Sequence, residues 1–183
     1  MIRQILRNWH RYVVGVIVSI MFWSWIVVRV TDALPKNKVV LYADLYEIDG
    51  DAVEQAAEPY LPEGIKFLEV NMFDSMLFQP TAVLTGDLYL IPERDMADYA
   101  ASFVPLDRSA FAGASFYELD GQAVGVCVFD PDGSVAIAKD KIGYFPDQRC
   151  YLCVNRESKH IGGINDSPDD AALVLARAWM NLQ

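Results

Sequence analysis

The sequence is poor in the residues that most enzymes rely on. Its 183 residues include two histidines, His10 and His160, and three cysteines, Cys127, Cys150 and Cys153. The histidines stand on opposite sides of a long apolar run, so no histidine pair is expected to bind a metal within one domain. A Ser-His-Asp triad would have to use His160, and no nucleophile-elbow motif accompanies it. Glycine-rich phosphate cradles are missing, Gly162-Gly163 being an isolated pair. Asp130-Pro131-Asp132-Gly133 and Asp49-Gly50-Asp51 look like pieces of calcium loops but lack the ligand spacing, and read as a turn and a cap. No metal, no cofactor and no enzymatic activity are therefore expected.

An odd cysteine count allows at most one internal bridge. Cys150-Tyr-Leu-Cys153 has C-x-x-C spacing, but CYLCVN reads as a strand, where positions three apart point to opposite faces. A thiol oxidoreductase is thus a remote alternative. Buried small hydrophobes, with a cross-strand pair involving Cys127, fit the pattern better.

Acidic residues are absent before Val30, where the chain holds a different feature: Tyr12–Val28, YVVGVIVSIMFWSWIVV, 17 residues without a charge. A helix rises about 1.5 Å per residue, and a hydrocarbon core is about 30 Å thick, so such a run predicts a transmembrane helix over residues 12–30. Arg3, Arg7 and Arg11 precede it with no acid among them, which places a basic N-terminus, residues 1–11, in the cytoplasm. Residues 31–37 then form a tether and residues 38–183 an extracytoplasmic domain. The expected location is the cell membrane, spanned once, with the membrane itself a partner. A cleaved signal peptide is the alternative, although Thr31-Asp32-Ala33 is a poor cleavage site.

Beyond Val30 the chain carries 11 basic against 25 acidic residues, a net charge of −14. That balance argues against nucleic acid as a partner and weakly favours cationic ligands. Lys38–Ala43 reads as a buried strand, Asp51 with Glu54 as the capping box of a helix, and Ile65–Val70 as a second strand. A short helix broken at Pro80 is expected within residues 71–84. Leu88–Ile91 reads as a third strand, and Pro92-Glu93 opens a helix through Ser102 with Met96, Tyr99, Ala100 and Phe103 on one face. This rhythm predicts an α/β fold with a doubly wound, mainly parallel sheet. After Leu106 come short strands at 116–119, 123–129 and 134–138, a tight Asp120-Gly121 turn, another strand at 151–155, and a last helix capped by Ser167.

A parallel sheet offers a site at the carboxyl ends of its strands. Here that rim would hold Asp44 and Tyr46 after the first strand, Asn71, Phe73 and Asp74 after the second, and Glu93 after the third. Aromatic faces beside carboxylates can hold a sugar, an amine or a cationic peptide.

The stretch GDLYLIPERDMADYAASFVPLD, from Gly86 to Asp107, resembles the extracellular solute-binding proteins of ABC transporters, in which a Gly-Asp pair precedes a strand, a helix and a Pro-Leu-Asp segment. ELDGQAVGVCVFD is similar to the strand leading out of that family's first lobe. CYLCVNRESKH and DDAALVLARAWMNL are similar to its return strand, its Asn-x-x-Ser-Lys-His turn and the helix after it. Only about 20 residues separate the outgoing and returning strands, so the resemblance implies one lobe of a type II periplasmic binding protein, the other being reduced to a β-hairpin insertion. It further implies a non-enzymatic binding or interaction module, an accessory to a transporter or sensor, whose partner is a small solute or a protein. The alternative is a scaffold domain that pairs with another membrane protein and binds no solute.

Overall fold

The computed structural model describes residues 9–31, 35–73, 86–162 and 170–182. The chain divides into two units, Met1–Pro35 and Lys36–Gln183.

In the first unit, helix α1 covers Trp9–Thr31. Trp9 and the large apolar side chains from Tyr12 to Trp25 are exposed. Among the described residues no helix is long and apolar enough to cross a membrane. This overturns two expectations: the transmembrane helix over 12–30, and the single-pass placement with a cytoplasmic N-terminus and an extracytoplasmic domain.

The second unit is an α/β domain built on a sheet of six strands. These are β1 (Lys38–Ala43), β3 (Phe67–Met72), β4 (Leu88–Pro92), β5 (Phe116–Leu119), β6 (Gln122–Phe129) and β8 (Cys150–Val154). Their order across the sheet is β3-β1-β4-β8-β6-β5. β1 runs parallel to β3 and to β4, whereas β8 is antiparallel to β4 and to β6, and β5 is antiparallel to β6. The sheet is therefore mixed, not mainly parallel. The physical reason lies in the connections. Helical crossovers return the chain in the same direction, while the Asp120-Gly121 turn reverses it within two residues. Both turn residues have positive φ, 51° and 79°, as a two-residue hairpin matched to strand twist demands.

Helices cover both faces of the sheet. Side chains alternate along each strand, so Leu88 and Leu90 join one core while Tyr89 and Ile91 join the other. Helices α2 (Gly50–Ala57) and α4 (Ala171–Trp179) close the first face through Val53, Ala57, Leu175 and Trp179. Helix α3 (Glu93–Tyr99) and the 3-10 turn after it close the second through Met96, Ala100 and Phe103. The cap of α2 is Asp49 rather than the expected Asp51, its carboxylate accepting the N–H of Ala52 at 3.0 Å. Glu54 reaches instead to the edge strand β3, accepting the N–H of Val70 at 3.1 Å.

The expected strand at 134–138 is a single bridge, Ala136 to Phe129. The excursion between β6 and β8 pairs elsewhere, its strand β7 (Ile142–Gly143) lying antiparallel to β2 (Glu47–Ile48) in a small second sheet. This carries the loop at residues 144–146 toward the chain that leaves β1. The helix expected around Pro80 and the Ser167 cap lie outside the described residues.

Candidate functional site

The carboxyl ends of β1 and β4 lie side by side, because those strands are parallel neighbours. Asp44 follows β1 directly, and its N–H donates to the Leu90 carbonyl at 2.9 Å, which fixes it against β4. Its carboxylate is largely buried. Pro92 ends β4, and Glu93 and Arg94 open α3 there. The Arg94 guanidinium sits with Nη2 3.9 Å from Asp44 Oδ1, Nε 3.0 Å from Asp95 Oδ2, and Cζ 4.4 Å from the centre of the Phe145 ring. A cation over an aromatic face beside a carboxylate is a favourable electrostatic arrangement.

The same rim is rich in negative charge. Burial, reinforced by Asp95, Asp98 and Asp44, raises the Tyr99 hydroxyl above its ordinary pKa. On the adjoining strand, Tyr151 donates to Glu93 Oε1 at 3.5 Å, and burial with Glu93 beside it pushes that phenol up to about 12. Arg149 donates through Nε to Asp130 Oδ2 at 2.8 Å, and its carbonyl accepts the N–H of Glu93. The Asp130 carboxyl is held below the usual range first by the N–H of Asp132 and then by Arg149.

The residues expected at this rim divide. Asp44 and Glu93 stand on it, and Tyr46 is 75 % exposed. Asn71 does not follow a strand; it lies inside β3, opposite Tyr42, and its Nδ2 donates to Glu69 at 3.1 Å. Phe73 is buried, edge-on to Tyr89 and Tyr99 with ring centres 6.0 and 5.5 Å apart, and works as core. Asp74 lies outside the described residues. Arg94 and Phe145 carry no signal in the sequence, where they are some fifty positions apart and share no motif. Two surface clefts, one lined by Asp51, Glu54, Glu58 and Lys66, the other by Phe129, Lys139 and Tyr144, take no lining residue from the expected set. Among the described residues no group of His, Cys, Asp and Glu could hold a metal ion.

At the other end of β4 a second polar cluster forms. Ser158 Oγ donates to Asp87 Oδ1 at 2.6 Å, and the N–H of Val40 donates to Oδ2 at 2.8 Å. Asn155 Nδ2 donates to the Gly86 carbonyl at 2.7 Å, and the N–H of His160 to Ser158 Oγ at 3.0 Å. Asp87, Asn155, Ser158 and His160 are all buried. Ser158 thus gives its proton to a carboxylate inside the fold, where both groups are buried. Burial raises the Asp87 carboxyl above its ordinary pKa, against the opposing effect of these two donors.

The three thiols are free and buried. Cys150 faces one core and Cys153 the other. Burial raises all three above the ordinary thiol pKa, so little thiolate forms at neutral pH.

No family model, no curated protein and no solved structure matches the chain.

Proposed function

We propose that the domain is a non-enzymatic binding module whose contact surface is the rim at the ends of β1 and β4, and that it takes cationic ligands. The observation that carries this reading is the seating of a guanidinium between the Asp44 carboxylate and the Phe145 ring. Glu93, Asp95 and Asp98 extend the negative field around that seat, and Tyr46, two residues after Asp44, is exposed. Buried thiols with raised pKa speak against thiol chemistry as the alternative. In this role the chain acts as an accessory to a transporter or sensor, as its resemblance to a solute-binding lobe implies.

The test is a melting series of the full chain with agmatine, spermidine, glucose and glutamate. The two cations raise the transition and the others leave it unchanged. Ligand at 100 times its dissociation constant adds about 2.7 kcal/mol. A flat response to all four sinks the reading. A second reading, a scaffold that docks on another protein and takes no solute, draws on α1, whose Trp9, Met21 and Trp23 side chains are exposed.

A further inference from the structure

We infer that the excursion between β6 and β8 forms a second binding site, a cleft that takes a small apolar carboxylic acid. The carboxylate sits on Lys139, and the hydrocarbon or aromatic part packs against Phe129, Pro131, Tyr144 and Pro146. The site is separate from the rim and stands without that reading.

The cleft has a volume of about 370 Å³. Small-molecule sites usually enclose roughly 300–1,000 Å³, so the size suits a compact ligand. Its apolar walls are already set. Phe129 and Tyr144 stack face to face, their ring centres 4.6 Å apart and their planes 5° from parallel. Ile142, which also lines the cleft, is buried. Pro131 and Pro146 are exposed, and proline loses no side-chain freedom when a ligand covers it.

The polar groups around these walls are engaged, with one exception. The Tyr144 hydroxyl donates to the Ile137 carbonyl at 2.8 Å. Gly143 pairs with Glu47 between β7 and β2, and its carbonyl accepts the N–H of Tyr46 at 3.1 Å. The exception is the Lys139 ammonium, the one charged group among the lining residues described. Its acidic neighbours have cations of their own: Asp140 meets Lys141 at 2.6 Å, and Asp130 meets Arg149 at 2.8 Å. Among the described residues no carboxylate is paired with Lys139.

The chain sets Lys139 there at a cost in backbone strain. Ala138 has φ 49°, a conformation uncommon for a residue with a Cβ. Its carbonyl accepts the N–H groups of both Lys141 and Ile142, at 2.9 and 3.0 Å, which closes the turn that carries Lys139. Such strained positions persist only where the surrounding structure holds them.

Complementarity then selects the ligand. An amine meets the like charge of Lys139, and a sugar needs several polar partners that the walls lack. A bare carboxylate such as acetate leaves the rings uncovered. An apolar acid answers both the cation and the walls.

The experiment is titration of the ¹⁵N-labelled full chain with phenylacetate, phenylacetamide, phenethylamine and acetate, following amide shifts. Phenylacetate is expected to move the amides of Lys139, Ile142, Gly143 and Tyr144, and to bind about fivefold more tightly than each of the others. Lys139→Met keeps the apolar stem without the charge, and should bring phenylacetate down to the affinity of phenylacetamide. Lys139→Arg should retain binding. Pro146→Ala should weaken phenylacetate and phenylacetamide alike. The inference is overturned if phenylacetate binds no tighter than phenethylamine or acetate, if the shifts fall on other residues, or if Lys139→Met binds it unchanged. The agmatine series reads the rim independently, so either site can fail without the other.

Discussion

The two ends of β4 hold their carboxylates in opposite ways. At its start, Asp87 is buried and met by neutral donors, the Ser158 hydroxyl and the Val40 N–H, with Asn155 tying Gly86 to the same knot. At its finish, Asp44 meets a half-exposed Arg94 at 3.9 Å, and Glu93 meets Tyr151 at 3.5 Å. Five residues of strand, all buried, separate the two. The short, complete bonds at the start leave nothing for a ligand to improve. The contacts of Arg94 and Tyr151 at the finish are longer and touch solvent.

That contrast is broken or kept by mutation. The largest effect is expected for Asp87→Ala, which takes the carboxylate acceptor from a buried hydroxyl and a part-buried backbone N–H and should cost about 3 kcal/mol in urea unfolding. Gly86→Ala comes next. A Cβ there would lie 2.5 Å from the Tyr42 ring and 2.6 Å from the Tyr89 hydroxyl, both set within packed aromatics, for a loss of about 1–3 kcal/mol. Neither change should alter agmatine affinity measured on folded protein. At the other end, Phe145→Leu should cost under about 1 kcal/mol of stability, because the Arg94 side of the pair it breaks is half exposed, yet it should weaken agmatine binding. A cheap Asp87→Ala together with a costly Phe145→Leu would invert the comparison.

How much of this is legible in the sequence depends on whether the determinant is local. β1 appears where a β-branched run predicts it, Lys38–Ala43, and the Asp120-Gly121 turn forms because Asp and Gly tolerate positive φ. Met96, Ala100 and Phe103 share one buried face, as a 3.6-residue period requires. Strand direction is not legible in the same way. Periodicity reports which side chains are buried, not which neighbour a strand finds, so β8 looks like another parallel member until its pairing is seen. Length and hydropathy make the apolar run of α1 look like a membrane span, yet among the described residues no helix is long and apolar enough to cross a membrane. At the site, Asp44 and Glu93 are legible from the rule that sheets bind at strand ends. Arg94 with Phe145, and Asp87 with Ser158, are not. Each pair joins residues that only the closed sheet and its excursion bring together, and nothing in the intervening sequence announces the meeting.

The smallest expected effect sharpens the contrast by its sign. The Asp87 carboxyl has a folded pKa raised above its ordinary 3.8, chiefly by burial, while Lys159 and His160 nearby oppose the rise. Well below pH 3.8 the group is protonated in both states and contributes no penalty. As pH rises past 3.8, the unfolded chain releases its proton while the folded one retains it, so the folded state is disfavoured until the raised pKa is passed and the penalty levels off. Glu69 behaves the other way: Lys38, helped by Asn71, lowers its pKa, so its stabilisation is present above its ordinary 4.5 and fades as acid is added. A pH series on the unaltered chain alone would mix the two. Comparison with Asp87→Asn, which cannot titrate at that position, cancels Glu69 and every other shared group. The melting temperature of the unaltered chain minus that of Asp87→Asn should therefore fall as pH is raised from about 3.5 toward neutrality. A difference that rises over that range would mean the charged form of Asp87 is the one the fold prefers, and that the start of β4 holds its carboxylate by charge, as the rim does.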